Sequence, residues 1–218
     1  MKILLYFLLF TAVMSAEYLS AKDDVVQCGN LIYAGTNTSR CFSDEFLAEV
    51  QRKTSIATAG RFKSVKLSSD ELFKMPFVVM TGEKPFNLSG KESENLKKYL
   101  SSGGFLLASA GCSNQEFSDS FKRLVKHLFP DNKLKSLPLS HQIFHTVYDI
   151  PEIKLTHGIS SVKAELFGLE INGRIVLVFS PHGLNDTAHT EGCCCCGGNE
   201  IENAIEFNVN ILAYALTH

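Results

Sequence analysis

The sequence has no tryptophan and no run of five like charges, and it has only one apolar stretch near a leader's length. The missing indole leaves no ring of that kind to sandwich a flavin. Lysine and arginine number 21 against 23 acidic residues, a formal net charge of −2, which speaks against a nucleic-acid binder working through a basic face. Several short motifs are also absent. Neither GxGxxG nor GxxxxGK[ST] occurs to cradle a phosphate, no HExxH pairs a general base with metal ligands, and no GxSxG elbow presents a nucleophile. What is present is the apolar content of an ordinary globular chain. Of 218 residues, 45% are hydrophobic and 20% charged, enough to bury one sizeable core and incompatible with a disordered or collagen-like polypeptide.

The first residues are separable from the rest. Lys2 supplies a positive start, Ile3 to Met14 is apolar apart from Tyr6 and Thr11, and Ser15 and Ala16 are the small residues that precede a cleavage site. This pattern is that of a secretory signal peptide within residues 1–21, cut between Ser15 and Ala21. The apolar run is about twelve residues, short of the roughly twenty that span a bilayer. Residues 22–218 are then expected as one exported domain, periplasmic or extracellular, with no membrane span after the leader is removed.

Beyond the leader, strand and helix patterns alternate. Leu31 to Tyr33 reads as a short strand, followed by the hydroxyl-rich loop Ala34 to Ser39. Ser43 is positioned to cap a helix running to about Thr54, with Phe46, Leu47 and Val50 inward. Ser64 to Leu67 alternates like a half-buried strand, and Ser68 with Glu71 has capping-box spacing for one short turn. Phe77 to Thr81 and Phe105 to Ala110 are continuous apolar runs, as expected of central parallel strands buried on both faces. Between them Ser89 and Glu92 open a helix that buries Leu96, Tyr99 and Leu100 and stops at Gly103 and Gly104. Ser113 and Glu116 have the same spacing, ahead of the clearest helical stripe: Phe117, Phe121, Leu124, Val125 and Leu128. Ala164 to Ile171 and Arg174 to Ser180 flank Asn172 and Gly173, a two-residue hairpin turn. Asn199 and Glu202 are placed to start a last helix. The order predicts an α/β fold, a mainly parallel sheet with helices on both faces and an antiparallel hairpin extension.

All seven cysteines lie beyond the leader: Cys28, Cys41, Cys112 and the uninterrupted run Cys193, Cys194, Cys195 and Cys196. Seven is odd, so disulfides within one chain cannot use them all. Thiolates are soft ligands for zinc, Cu(I) or iron–sulfur clusters, and a glycine-flanked run of four can curl round an ion. Neighbouring residues in an extended chain point to opposite sides, so about two of the four reach one ion and others must join them. Cys41, Cys112, His182 and His189 are the candidates, because the loops after parallel strands share one edge of the sheet, where such folds bind ligands. Disulfides, with Cys28 or Cys41 pairing with the run, and free redox-active thiols stand as alternatives.

Other groups carry weaker signals. His141 and His145 follow Pro138 in a segment read as irregular, and single hydrogen-bonded histidines are expected there. Ser180, His182 and Asp186 bring three hydrolase residue types together in sequence, yet a triad requires spatial convergence, so this stretch is read as a binding loop. The loop AGTNTSR is read as an ordinary turn rather than a phosphate cradle. Asn208 is read as a satisfied core amide.

The segment PFVVMTGEKPFNLSGKESENLKKYLSSGGFLLAS, then LPLSHQIFHTVYDI, then the ending NVNILAYALTH together resemble the bacterial domain of unknown function 4159 family. The resemblance covers nearly all of the chain after the leader, and its more specific parts are the LeuPro(x)2His(x)3His segment and the AsnValAsn ending. It implies a fold similar to class I glutamine amidotransferases, a flavodoxin-like three-layer sandwich, and it brings no established activity. In amidotransferases the nucleophilic cysteine sits on a tight turn directly after a GlyGly-type strand. Counting from Gly103 puts Ala110 there, with Cys112 two residues further on, which argues against that catalysis. The expectation is therefore a binding module with a cysteine-rich site at the carboxyl edge of the sheet, taking a metal, small ligand or protein. The alternatives are an enzyme using Cys112 assisted by His182 or His141, and a disulfide-stapled interaction protein.

Overall fold

A computed structural model describes residues 25–38, 42–156, 164–184 and 200–218. Five parallel strands form the centre of one eight-stranded sheet. They are β1 (Cys28–Tyr33), β3 (Lys63–Lys66), β4 (Phe77–Gly82), β5 (Phe105–Ala110) and β8 (Arg174–Ser180), arranged in the spatial order β3, β1, β4, β5, β8. Counted among the parallel strands alone this is 2-1-3-4-5, the flavodoxin-like doubly wound order. Three antiparallel pieces complete the sheet. The two-residue β2 (Asn37–Thr38) folds back on the end of β1, while β7 (Phe167–Ile171) and β6 (Leu134–Ser136) extend it beyond β8. The β7–β8 turn has positive φ at both Asn172 (52°) and Gly173 (80°), as a two-residue type I′ connection requires.

Helices cover both faces. We number them α1 (Glu45–Lys53), α2 (Gly90–Ser101), α3 (Gln115–Leu128) and α4 (Ala204–Thr217). Side chains alternate across the central strands: Phe77, Val79, Phe105 and Leu107 pack with Phe46, Leu47 and Val50 of α1 and Phe207 and Ile211 of α4. Val78, Met80, Leu106 and Ala108 pack instead with Leu96 and Tyr99 of α2 and Phe117 and Phe121 of α3. The result is a three-layer α/β sandwich. Phe121 stacks on Phe179 of β8 with ring centroids 4.8 Å apart, a pairing that adds about 0.5–1.5 kcal/mol to simple burial.

Side-chain caps mark the starts of α2 and α3. At α2 the full capping box forms: Ser89 accepts from the Glu92 amide, and the Glu92 carboxylate accepts from the Ser89 amide. At α3 the cap is Asn114, whose Oδ1 accepts from the Phe117 amide at 2.8 Å, one residue after the expected Ser113. The last helix begins at Ala204 rather than near Asn199. Its expected first turn is spent on pairing, because Glu200 bridges Gly183 and Ile201 bridges Leu155.

The AsnValAsn ending is structural. Asn210 is buried on α4, accepts from the amides of Val147 (3.0 Å) and Tyr148 (2.8 Å), and donates to the Tyr148 carbonyl (2.9 Å). Asn208 donates to the Leu184 carbonyl at 2.9 Å. One helix thereby holds two otherwise irregular segments, the connection around 147–148 and the exit from β8. Asn208 is only half the satisfied amide expected, since its buried Oδ1 has no partner among the described residues. No helix among the described residues is long and apolar enough to cross a membrane.

Candidate functional site

In an open parallel sheet, ligands bind outside the carboxyl ends of the strands, usually where the strand order reverses. Here that switch point lies between β1 and β4, and the protein fills it with its own groups. The Tyr33 hydroxyl donates to the Thr81 carbonyl at 2.7 Å. A Cβ added at Gly82 would stand 2.5 Å from that hydroxyl oxygen and 2.7 Å from the Phe117 ring. The buried Glu92 carboxylate accepts from the Ala34 amide, the Ser89 amide and the Ser89 hydroxyl, each at 2.8 Å. A side-chain anion thus occupies the niche that a phosphate would need, and residues 34–38 form a tight reversal with positive φ at Ala34 and Gly35.

The rim is differently built over β5 and β8. After β5 the chain turns through Gly111–Ser113 before α3, with Cys112 (φ 50°, ψ 30°) and Ser113 (φ 55°) both in the left-handed region. Two successive non-glycine residues there store roughly 1–2 kcal/mol each. After β8 the chain passes through Pro181 to His182. The fully buried Ser109 and Ser180 are register partners on the two strands. The Ser180 hydroxyl donates to the His182 carbonyl (2.6 Å) and accepts from the His182 amide (3.2 Å), while the Ser109 hydroxyl accepts from the Leu184 amide (2.9 Å). This arrangement fixes the His182 backbone.

Its ring then meets the other turn: Ser113 Oγ lies 3.0 Å from His182 Nδ1. His182 is 8% exposed, and burial lowers its pKa from the usual 6.5, favouring the neutral ring. Cys112, half-buried, donates instead towards Glu83 Oε1 at 3.8 Å.

Of the sequence candidates, Cys112 and His182 therefore share one rim, yet His182 is joined to Ser113 and not to the thiol. Ala110, the nucleophile position by count, is the buried last residue of β5. The left-handed bend comes two and three residues later, so the turn is built differently from the one the count assumed.

His141 is no partner for Cys112. Its ring packs 5.7 Å from Tyr214 near the end of α4. That is the opposite edge of the sheet, where Arg174 at the start of β8 donates to the Ala215 carbonyl. Its Nδ1 accepts from the Ile143 amide (3.2 Å). His145 lies 2.5 Å from Asp149 and 2.7 Å from the Leu139 carbonyl. The two histidines are thus separately hydrogen-bonded, as expected.

Cys28, offered above as a disulfide partner of the cysteine run, does not take that role. It is a free thiol at the start of β1, wholly inside the core, with its pKa pushed up to about 12 by burial. Cys41, Cys193, Cys194, Cys195, Cys196, His189 and Asp186 lie outside the described residues. Among the described residues, no group of three or more His, Cys, Asp or Glu is gathered closely enough to hold a metal.

Sequence reasoning missed Ser113 and Glu83 as members of this rim. The Ser113–Glu116 spacing points to capping, and the signal for another role is the tandem Ser113–Asn114, in which one residue suffices for the cap. Glu83 carries no motif.

Fold and rim define an open, doubly wound α/β protein whose accessible polar groups stand over the carboxyl ends of β5 and β8. A family model described as Domain of unknown function (DUF4159) matches residues 30–216, and the chain belongs to that family. No curated protein matches the chain.

Proposed function

We propose that this protein is an exported binding module that takes a thiophilic metal ion, as zinc, Cu(I) or an iron–sulfur cluster, on the rim over β5 and β8. The observation that carries the reading is the placement of Cys112 Sγ 3.8 Å from Glu83 Oε1. With metal–ligand bonds of about 2.3 Å to sulfur and 2.1 Å to oxygen, two donors on one tetrahedral ion stand roughly 3.6 Å apart. These two atoms need little movement to share an ion.

The remaining ligands must come from outside the described residues, and the sequence offers Cys41, Cys193, Cys194, Cys195, Cys196 and His189. Chain connectivity supports the cysteine run. The Ile201 amide donates to the Gly183 carbonyl at 2.9 Å, and Glu200 bridges Gly183. Gly183 and Glu200, which flank residues 185–199 in the sequence, are thus paired at the end of β8. Cys196 stands four residues before Glu200 in the sequence.

Elemental analysis of protein purified anaerobically tests the proposal. The expected result is one metal equivalent or one cluster per chain, lost in Cys112→Ser and reduced in Glu83→Gln. Sub-stoichiometric zinc, iron and copper with oxidised cysteines would overturn it. Export rests on Lys2, the apolar residues 3–14 and the small residues after them. An N-terminus of the secreted protein starting between Ala16 and Lys22 is the outcome that supports it, and retention of Met1 the outcome that does not.

A further inference from the structure

We propose that Ser113 and His182 form a nucleophile and base pair that cleaves carboxylic esters on the β5–β8 rim, an activity separate from metal binding. The pair joins residues 69 apart in sequence and has the three parts such chemistry needs. The nucleophile stands at the carboxyl edge of the sheet: Ser113 is half-buried on a strand-to-helix turn. The base is within reach, at 3.0 Å. The base is also held by other groups, because the Ser180 hydroxyl engages both its amide and its carbonyl and the Ser109 hydroxyl approaches that carbonyl from the neighbouring strand at 3.4 Å.

A packing role alone would not call for a buried histidine whose backbone is gripped on two sides while its ring addresses the hydroxyl of a half-buried serine. With the ring proton on Nε2, the Ser113 hydroxyl donates to Nδ1; this tautomer is assigned from the pairing. Cys112, one residue away, is not the partner of the base, since its thiol is directed at Glu83.

The step balances with ester and water alone. Ser113 Oγ bonds to the acyl carbon while its proton passes to His182 Nδ1. The bond from the acyl carbon to the alkoxy oxygen breaks, and that oxygen takes the proton from His182. Water then attacks the acyl-serine, giving one proton to His182, and the carboxylic acid departs as the proton returns to Oγ. Helix geometry leaves the Gln115 and Glu116 amides at the start of α3 without intrahelical acceptors, and they stand next in the chain to receive the developing oxyanion. Esters are the substrate class proposed because their alkoxide leaves more readily than an amine.

A fluorophosphonate probe tests the proposal on the purified protein, because it transfers phosphorus to an activated serine as fluoride leaves. The expected result is a single adduct mapped to Ser113, absent in Ser113→Ala and formed roughly 100-fold more slowly in His182→Gln. Ser113→Gly relieves the positive φ and is expected to fold at least as well as the parent. Loss of labelling in that variant, with an undiminished melting temperature, separates chemistry from a structural role. No adduct, an adduct elsewhere, or equal labelling in His182→Gln would overturn the inference. Labelling before and after chelator treatment, beside the metal content, keeps the two proposals distinguishable: an adduct on metal-free protein sustains the ester reading even where the metal reading fails.

Discussion

Ser109 and Ser180 face each other across β5 and β8, and both hydroxyls address one acceptor, the carbonyl of His182. Two buried strands thereby position a turn that belongs to neither. Replacing either serine by alanine removes a buried hydrogen bond and is expected to lower stability by about 1–3 kcal/mol. In each single variant the other hydroxyl still serves the carbonyl. In the double variant the carbonyl is orphaned, so the combined loss should exceed the sum of the two. Urea unfolding of the four proteins measures this directly, and strict additivity would contradict the shared acceptor.

Asn210 holds three backbone groups of residues 147–148. Asn210→Ala leaves two amides and a carbonyl without their partner and should cost about 3 kcal/mol. Asn210→Asp keeps the acceptor for both amides but sets a buried carboxylate oxygen against the Tyr148 carbonyl in place of the donor, so it should not restore the lost stability. Hydrogen exchange at Val147 and Tyr148 should accelerate in the alanine variant ahead of the rest of the chain.

The His145 ring contacts the Leu139 carbonyl through one nitrogen and Asp149 through the other. Only the doubly protonated ring donates to both, and the hydrogen bond to Leu139, then that to Asp149, raises its pKa above the usual 6.5. A raised folded value means the stabilisation is fully present below 6.5 and is lost as the pH rises through the folded value. The stability difference between the parent and His145→Gln should therefore shrink on going from mildly acidic to alkaline solution. Paired melting curves across that range check it, and a difference that grows with pH would refute the arrangement.

Cys28 is buried and its pKa is pushed up to about 12, so it has almost no thiolate at neutral pH and no access for a reagent. Iodoacetamide should leave it unmodified in the native protein and alkylate it fully in urea, with peptide mass mapping as the readout. Modification of Cys28 under native conditions would mean that β1 opens at its start.

The elements legible in the sequence are those governed by neighbours in the chain. Asn172–Gly173 fixes its turn by local backbone preference, the Ser89 and Glu92 box starts α2, and Phe117, Phe121, Val125 and Leu128 mark the inward face of α3. Strand β6 was not legible because Lys135 and Ser136 are exposed and only three residues pair. The late start of α4 was hidden because Glu200 and Ile201 follow a helical pattern but pair with Gly183 and Leu155. The rim was legible only in outline. That Cys112 and His182 share an edge follows from parallel topology, whereas the choice of Ser113 as the histidine's partner depends on β5 and β8 being adjacent and on the turn closing through two left-handed residues.

Glu92 makes the sheet's usual docking niche self-sufficient. Its carboxylate serves the amides of Ala34 and Ser89, so a nucleotide or phosphate arriving there would find those two donors already engaged by a carboxylate. The β5–β8 rim lies two strand positions along the sheet from this niche, and a single acidic side chain ties the turn after β1 to the start of α2.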